Sequence, residues 1–167
     1  IGTTWWIYNA SLGGAAMAII ANALLMGFIW YLAHITRVKL KHPNGIWTWV
    51  FYWLAFETIH YEWDIMWPWL NLGNGFAGHV RIVQWYEFTG VPGGSLWIMA
   101  VNILLFRSLK ECREAGPSLK AFFKPALLLL IPIALSLSIF YLHEEKGKAI
   151  RTLVLQPNID PYTEKFN

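Results

Sequence analysis

Residues 10–35 (ASLGGAAMAIIANALLMGFIWYLAHI) form one apolar stretch without an Asp, Glu, Lys or Arg. A helix crosses the hydrocarbon core of a bilayer with about 20 mostly apolar residues, because each residue rises only ~1.5 Å. Small residues such as Gly13, Gly14 and Ala18 allow a second helix to approach closely. This stretch therefore predicts a transmembrane helix, and every other segment has to be compatible with a membrane protein.

The composition agrees with a membrane protein. Hydrophobic residues make up 56% of the 167 residues and charged residues only 14%, against roughly 45–50% and 25% in soluble domains. The net charge of +3 is small, and the basic residues separate the apolar runs instead of forming one stripe. We therefore expect the membrane itself as a partner and no nucleic acid.

Three further segments have the apolar character of membrane helices, although two of them are short. The segment at 46–60 is rich in aromatic residues and ends in Glu57 and His60. The sequence thus predicts a membrane all-α fold with about four transmembrane helices, near residues 10–35, 46–60, 92–107 and 125–142.

The distribution of Lys and Arg predicts the orientation. The loops at 36–45 and 107–124 carry three and five basic residues (Arg37, Lys39, Lys41; Arg107, Lys110, Arg113, Lys120, Lys124), which predicts that both are cytoplasmic. The loop at 61–93 has Arg81 as its single Lys or Arg. We therefore expect this loop, and the C-terminal end after 142, on the outer side.

The loop at 61–93 is unusual in its tryptophans, Trp63, Trp67, Trp69 and Trp85. Tryptophan favours the headgroup level of a membrane, so the loop is expected to lie on the surface or partly within it. Two interpretations stay open: an aromatic belt that anchors two helices, or the lipid-facing rim of a site whose chemistry comes from elsewhere.

Residues 57–60 read Glu-x-x-His, the spacing used in di-iron carboxylate bundles. Such a site needs a second Glu-x-x-His, which this chain lacks, so no metal and no cofactor are expected. A polar helix end is the favoured interpretation, with Glu57 hydrogen-bonded to Asn102 or to a loop amide.

Cys112 has basic neighbours that favour a thiolate, but without a His nearby in sequence we interpret it as a bystander.

The C-terminal residues suggest a different kind of structure. Residues 152–155 are β-branched and apolar, and Gln156-Pro157-Asn158 follows them, which is typical of a strand and a loop. Because one strand cannot bury its faces alone, we expect residues 146–167 to be a linker and the truncated start of a larger domain.

Four blocks, taken together and in order, resemble the apolipoprotein N-acyltransferases of bacterial inner membranes. They are TTWWIYNASLGG, FETIHYEWDIMWPWLNLGNGF, RIVQWYEFTGVPGGSLWIMAVN and LVLQPNIDPYTEKF. The second resembles a family block with a Glu at a helix end and a later Pro-Trp-Leu, and the third a block in which a Gly opens another helix. The last resembles the first strand and loop of the family's α/β nitrilase-like domain.

The resemblance implies an enzyme that moves an acyl chain from a phospholipid donor to the diacylglyceryl-cysteine amine of a lipoprotein acceptor. The family's Glu, Lys and Cys triad would fall downstream of Asn167, so no catalytic residue is expected here and the fragment alone should be inactive. The lipid- or substrate-facing candidates are Glu57, Trp67, Trp69, Trp85 and Phe166. At Phe166 the family commonly has Trp.

The resemblance also implies a multi-pass protein of the bacterial inner membrane, with loop 61–93 on the periplasmic side. Two alternatives come from other classes. A non-enzymatic membrane scaffold would bind a partner through the aromatic loop, and a di-iron oxygenase would bind iron.

Overall fold

The computed structural model describes residues 4–9, 11–63, 67–144, 147 and 150–157. Four α-helices are present in these ranges: α1 (Leu12–Leu40), α2 (Thr48–Ile59), α3 (Tyr86–Ala115) and α4 (Phe123–Leu142). The chain divides into two compact units, one made of Ile1–Ala23 with Glu144–Asn167 and the other of Leu24–His143.

The smaller unit contains a 3₁₀ turn at Trp5–Asn9 and the first part of α1. The strand predicted at 152–155 is not formed: residues 150–157 have no regular secondary structure, and Leu153, Val154 and Leu155 are more than 80% exposed. A strand needs a hydrogen-bonded neighbour, and the described residues supply none. Phe166 lies outside the described residues.

Helix α1 confirms the first predicted span and continues five residues beyond residue 35. It ends where Lys41 adopts a left-handed conformation with φ of 47°, a conformation that commonly terminates helices. The Nδ1 atom of His42 then accepts a hydrogen bond from the Asn44 N–H at 3.1 Å, and Pro43 begins a 3₁₀ turn.

Helix α2 is the main departure from the predicted fold. Its 12 residues extend roughly 18 Å, which is shorter than the ~30 Å hydrocarbon core. Within the described ranges, three helical segments are long and apolar enough to cross a membrane: Leu12–Leu40, Tyr86–Ala115 and Leu119–Leu142. The helical membrane class is confirmed, while the count of four spans is not.

Helix α3 is longer than predicted at both ends. Its first turn precedes Gly90, where φ of 64° and ψ of −172° produce a kink in a backbone region essentially limited to glycine. It ends at Gly116, whose φ is 96° and whose N–H donates to the Cys112 carbonyl at 3.1 Å. Much of the basic loop predicted from residue 107 is therefore helix.

Contacts at both ends of α3 define the directions of the helices in the larger unit. The Arg107 guanidinium donates to the Pro43 carbonyl at 3.3 Å and to Asn44 Oδ1 at 3.1 Å, near the start of α2. At the other end, the Trp85 N–H donates to Ser136 Oγ at 3.4 Å, near the end of α4. Helix α3 therefore runs antiparallel to both α2 and α4.

The interior of this unit lies along α2 and α3. Most of its buried apolar side chains belong to these two helices, namely Val50, Trp53, Phe56, Trp97, Ala100, Val101 and Ile103. Ala33 of α1 and Val83 before α3 are buried as well. The outer faces of α1 and α4 expose most of their large apolar residues, as expected where lipid replaces water as solvent.

Candidate functional site

Glu57 lies at the centre of the candidate site, at the end of α2. It is only 1% exposed, and its Oε1 accepts hydrogen bonds at 2.8 Å from Trp53 Nε1 and from the Leu72 backbone N–H. The predicted bond to a loop amide is thus present, while Asn102 instead donates to the Ile98 carbonyl. The carboxyl group joins helix α2 to the loop after residue 66.

The loop is fastened to α3 through Gly73. The Gly73 N–H donates to Ser95 Oγ at 2.9 Å, and the Tyr86 hydroxyl donates to the Gly73 carbonyl at 3.0 Å. A Cβ added at Gly94 would lie 3.0 Å from Gly73 Cα and would overlap the Tyr86 hydroxyl. Glycine is therefore required on both sides of this contact, because any side chain would separate the loop from the helix.

His60 continues the site on the side of Glu57. It is 3% exposed, and its ring centroid lies 4.4 Å from that of Phe56, 4.8 Å from Trp63 and 6.3 Å from Trp67. Burial lowers the pKa of His60 from its ordinary value near 6.5, and the nearby Glu57 carboxylate opposes that shift. We refer to Glu57, His60, Trp63 and Asn71 as the Glu57 cluster.

Each member of the Glu57 cluster has one buried polar atom without a hydrogen-bond partner: Glu57 Oε2, His60 Nδ1, Trp63 Nε1 and Asn71 Nδ2. Buried polar groups are usually paired, since each unpaired one costs about 1–3 kcal/mol. The Glu57 cluster thus keeps both acceptor and donor atoms without a partner in the interior of a largely apolar protein.

The predicted tryptophans differ in their surroundings. Trp67 is partly buried beside His60, and Trp85 is partly buried with its ring 4.7 Å from Tyr86 and 5.7 Å from Trp97. Trp69 is about half exposed, at 48%. Among these three, Trp69 is the most exposed, and lipid contact by each of them stays a prediction.

The described residues hold no group of three or more His, Cys, Asp or Glu side chains placed to bind a metal ion. Within that part of the chain, Glu57 and His60 are not joined by the further carboxylates that a di-iron site needs. Cys112 lies at the opposite end of α3 from Tyr86, with its Sγ 3.7 Å from the Ser118 carbonyl.

Comparison with known proteins gives the family. A model of the apolipoprotein N-acyltransferase N-terminal domain matches residues 1–104. The chain belongs to the apolipoprotein N-acyltransferase family. Two curated relatives carry the name apolipoprotein N-acyltransferase. The one from Chlorobaculum tepidum is 21% identical over 98% of this chain and 31% of its own length. The one from Geobacter metallireducens is 31% identical over 56% of this chain and 18% of its own length.

The chain thus spans less than a third of the length of these relatives. No solved structure matches it. The matched residues 1–104 include the whole Glu57 cluster and the Gly73 contact with α3, so this geometry lies in the part of the chain that carries the family match.

Sequence reasoning missed several residues of the site. They are Trp53, Asn71, Leu72, Tyr86, Gly94 and Ser95. For Gly94 and Ser95 a signal existed in the Gly93-Gly94-Ser95 run of an otherwise bulky segment, because small residues permit a close approach of backbones. The sequence did not show that the partner would be Gly73 rather than another helix.

Proposed function

We propose that this chain is the membrane portion of a phospholipid:apolipoprotein N-acyltransferase. The whole protein would transfer an acyl chain from a phospholipid to the N-terminal amine of a lipoprotein's diacylglyceryl-cysteine. The observation that carries this proposal is the family match over residues 1–104, supported by the alignment with the Chlorobaculum tepidum protein across 98% of this chain.

The proposed reaction proceeds through a thioester. A cysteine thiolate attacks the phospholipid ester, the lysophospholipid leaves, and the lipoprotein amine then takes the acyl group and frees the cysteine. A carboxylate would accept the thiol proton and a lysine would stabilise the oxyanion. We expect this Glu, Lys and Cys triad downstream of Asn167, in a nitrilase-like domain, and we assign Cys112 no part in it.

The membrane portion would hold the aromatic loop at the lipid surface below that domain. Glu57 joins the loop to α2, and Gly73 joins it to α3. Trp69, half exposed between these anchors, suits the headgroup level. In this proposal Glu57 is a positioning residue, not a catalytic one.

We further infer that α2 crosses the membrane together with the preceding 3₁₀ turn, Pro43–Trp47. Five 3₁₀ residues add roughly 10 Å to the ~18 Å of α2, which approaches the ~30 Å core. Arg37, near the end of α1, and Arg107, near the end of α3, line the same pocket. Because α1 and α3 therefore run in the same direction, the chain has to return across the membrane between them.

This arrangement places the basic ends of α1 and α3 on one side. The excess of Lys and Arg there supports a cytoplasmic location, with the Glu57 cluster at the periplasmic face of the bacterial inner membrane. A thiol-labelling reagent that does not cross membranes, applied to intact cells, would test this. With Cys112 replaced by Ser, a Cys at Thr89 should react and one at Lys110 should not.

Acyl transfer is tested with the full-length product of the gene. The purified protein is mixed with phosphatidylethanolamine and a diacylglyceryl-cysteine peptide, and mass spectrometry follows the gain of one acyl chain on the peptide amine. The Chlorobaculum tepidum relative serves as a comparison. An unmodified peptide would refute the reaction and favour the scaffold, whereas transfer by residues 1–167 alone would refute our placement of the triad.

A further inference from the structure

A basic pocket lies at the end of the larger unit remote from the Glu57 cluster. It has a volume of about 350 Å³, and Arg37, Arg107, Lys110 and His42 are among its lining residues, none of which is acidic. The lining thus carries three formal positive charges, from two helices, and no carboxylate. A concave site lined by charges of one sign favours a compact anion.

The three cations remain available to a ligand. Arg107 uses one terminal nitrogen for Pro43 and Asn44, so most of its five N–H donors are free for another acceptor. Lys110 has Glu114 at 3.7 Å, but both side chains are more than half exposed, and such pairs are weak.

The basic pocket is continuous with an apolar groove between α1, α2 and α3. Arg37, Ile46 and Phe106 line both. The groove has a volume of about 560 Å³, and Trp30, Trp49 and Ile98 lie among its walls. Nine residues of α3, from Ile98 to Phe106, give the groove a length of roughly 12 Å along the helix, since eight rises of ~1.5 Å separate the first from the last.

The two regions together have the chemistry of a phospholipid. A phosphate suits the cations at one end, and an acyl chain suits the aromatic and aliphatic walls. We propose that this site binds one phospholipid with an anionic head group, such as phosphatidylglycerol, with its phosphate between Arg37, Arg107 and Lys110 and an acyl chain along the groove.

Charge complementarity favours an anionic lipid over a zwitterionic one. The choline or ethanolamine group of a zwitterionic lipid would bring a further positive charge to a pocket that already holds three. The apolar groove extends as far as Trp53 and Leu72, the two residues that donate to Glu57, while the cations lie at its other end. The proposed lipid site does not depend on the acyl transfer proposed above, whose donor would be taken at the periplasmic end, and its test measures binding.

The test uses native mass spectrometry of the full-length protein in detergent, titrated with phosphatidylglycerol or with phosphatidylcholine of the same acyl chains. The variants are Arg37→Gln and Lys110→Gln. Their matched controls are Arg113→Gln and Lys39→Gln, which remove the same residue types near the ends of the same two helices but outside the pocket.

We expect one phosphatidylglycerol to bind with an affinity at least tenfold above that of phosphatidylcholine. Each pocket variant should weaken binding about fivefold, and each control less than twofold. Glycerophosphoglycerol, the head group without acyl chains, should fail to displace the lipid at equal concentration.

Other outcomes overturn the proposal. Equal losses in pocket and control variants would show a general effect of surface charge. Equal binding of phosphatidylcholine would remove the anionic preference, and displacement by glycerophosphoglycerol would reduce the site to an anion pocket without a lipid groove. Thermal unfolding of each variant checks the fold, and Lys110→Gln, at an exposed position, provides a second variant should Arg37→Gln be unstable.

Discussion

Replacing Glu57 with Ala should release the aromatic loop from helix α2. The substitution removes the acceptor of two hydrogen bonds and leaves the Trp53 Nε1–H and the Leu72 N–H without one. Each orphaned donor costs about 1–3 kcal/mol, so closing the loop should become less favourable by about 2–6 kcal/mol. Even the lower value corresponds to about a 30-fold larger open population.

Glu57→Gln separates hydrogen bonding from charge. Both observed bonds end on Oε1, and the amide oxygen of Gln can accept both of them. The new amide nitrogen would replace Oε2, which has no partner in the structure. We therefore expect Gln to open the loop far less than Ala, by roughly threefold or less.

Trypsin cleavage after Arg81 reports the opening, because the backbone of this residue is held in the 3₁₀ turn Val80–Ile82 and has to leave that turn before the protease can bind it. When opening and closing are fast, the cleavage rate follows the open population. The initial rate in the full-length protein is followed by intact mass, with Glu87→Ala, at an exposed glutamate of the same region, as the control. A Glu57→Ala rate within twofold of this control would refute the anchoring role of Glu57.

Three further predictions concern the same end of the bundle. Gly73→Ala should lower the free energy of unfolding by about 1–3 kcal/mol, because the new Cβ would overlap a backbone carbonyl of α3. Gly75→Ala is the control and should change this free energy little, since open space surrounds Gly75. Chemical denaturation of both variants checks the prediction, and equal effects would contradict the tight contact at Gly73. Gly90→Ala should cost about 1–3 kcal/mol through its φ of 64°, measured in the same way, and an unchanged midpoint would show that the kink is not strained. Because burial lowers the pKa of His60, the unfolded chain binds a proton more readily than the folded one, so stability should fall as the pH drops below about 6.5. His60→Phe should reduce this dependence of stability on pH, measured by thermal unfolding between pH 7.5 and 5.5. An unchanged pH dependence would assign the effect to other groups.

Much of the fold was predictable because hydrophobicity and length are local properties of the sequence. The apolar runs at 10–35 and 125–142 identified two spans directly, and the run at 92–107 located the centre of α3. Helix ends were less predictable. Basic residues from 107 onward suggested a loop, yet Lys and Arg are good helix formers, and α3 continued to Ala115.

The predicted strand at 152–155 is not confirmed, for a related reason. β-branched residues favour a strand, but a strand exists through its neighbours, and the described residues contain no neighbour for it. The nitrilase-like domain that the resemblance implies therefore stays a prediction.

The sequence by itself determined the membrane class, the approximate positions of the three long apolar helices and the family, because hydropathy and ordered motifs need no three-dimensional partner. That the segment at 46–60 forms only a 12-residue helix was decided by the structure. It also singled out Glu57 as a polar residue in an apolar segment. Tertiary structure alone decided that Glu57 binds Leu72, that Gly73 packs on Gly94, and that Arg37 and Arg107 line one pocket. These contacts join residues 15 to 70 positions apart, and which of the possible pairs forms depends on how the helices pack as a whole.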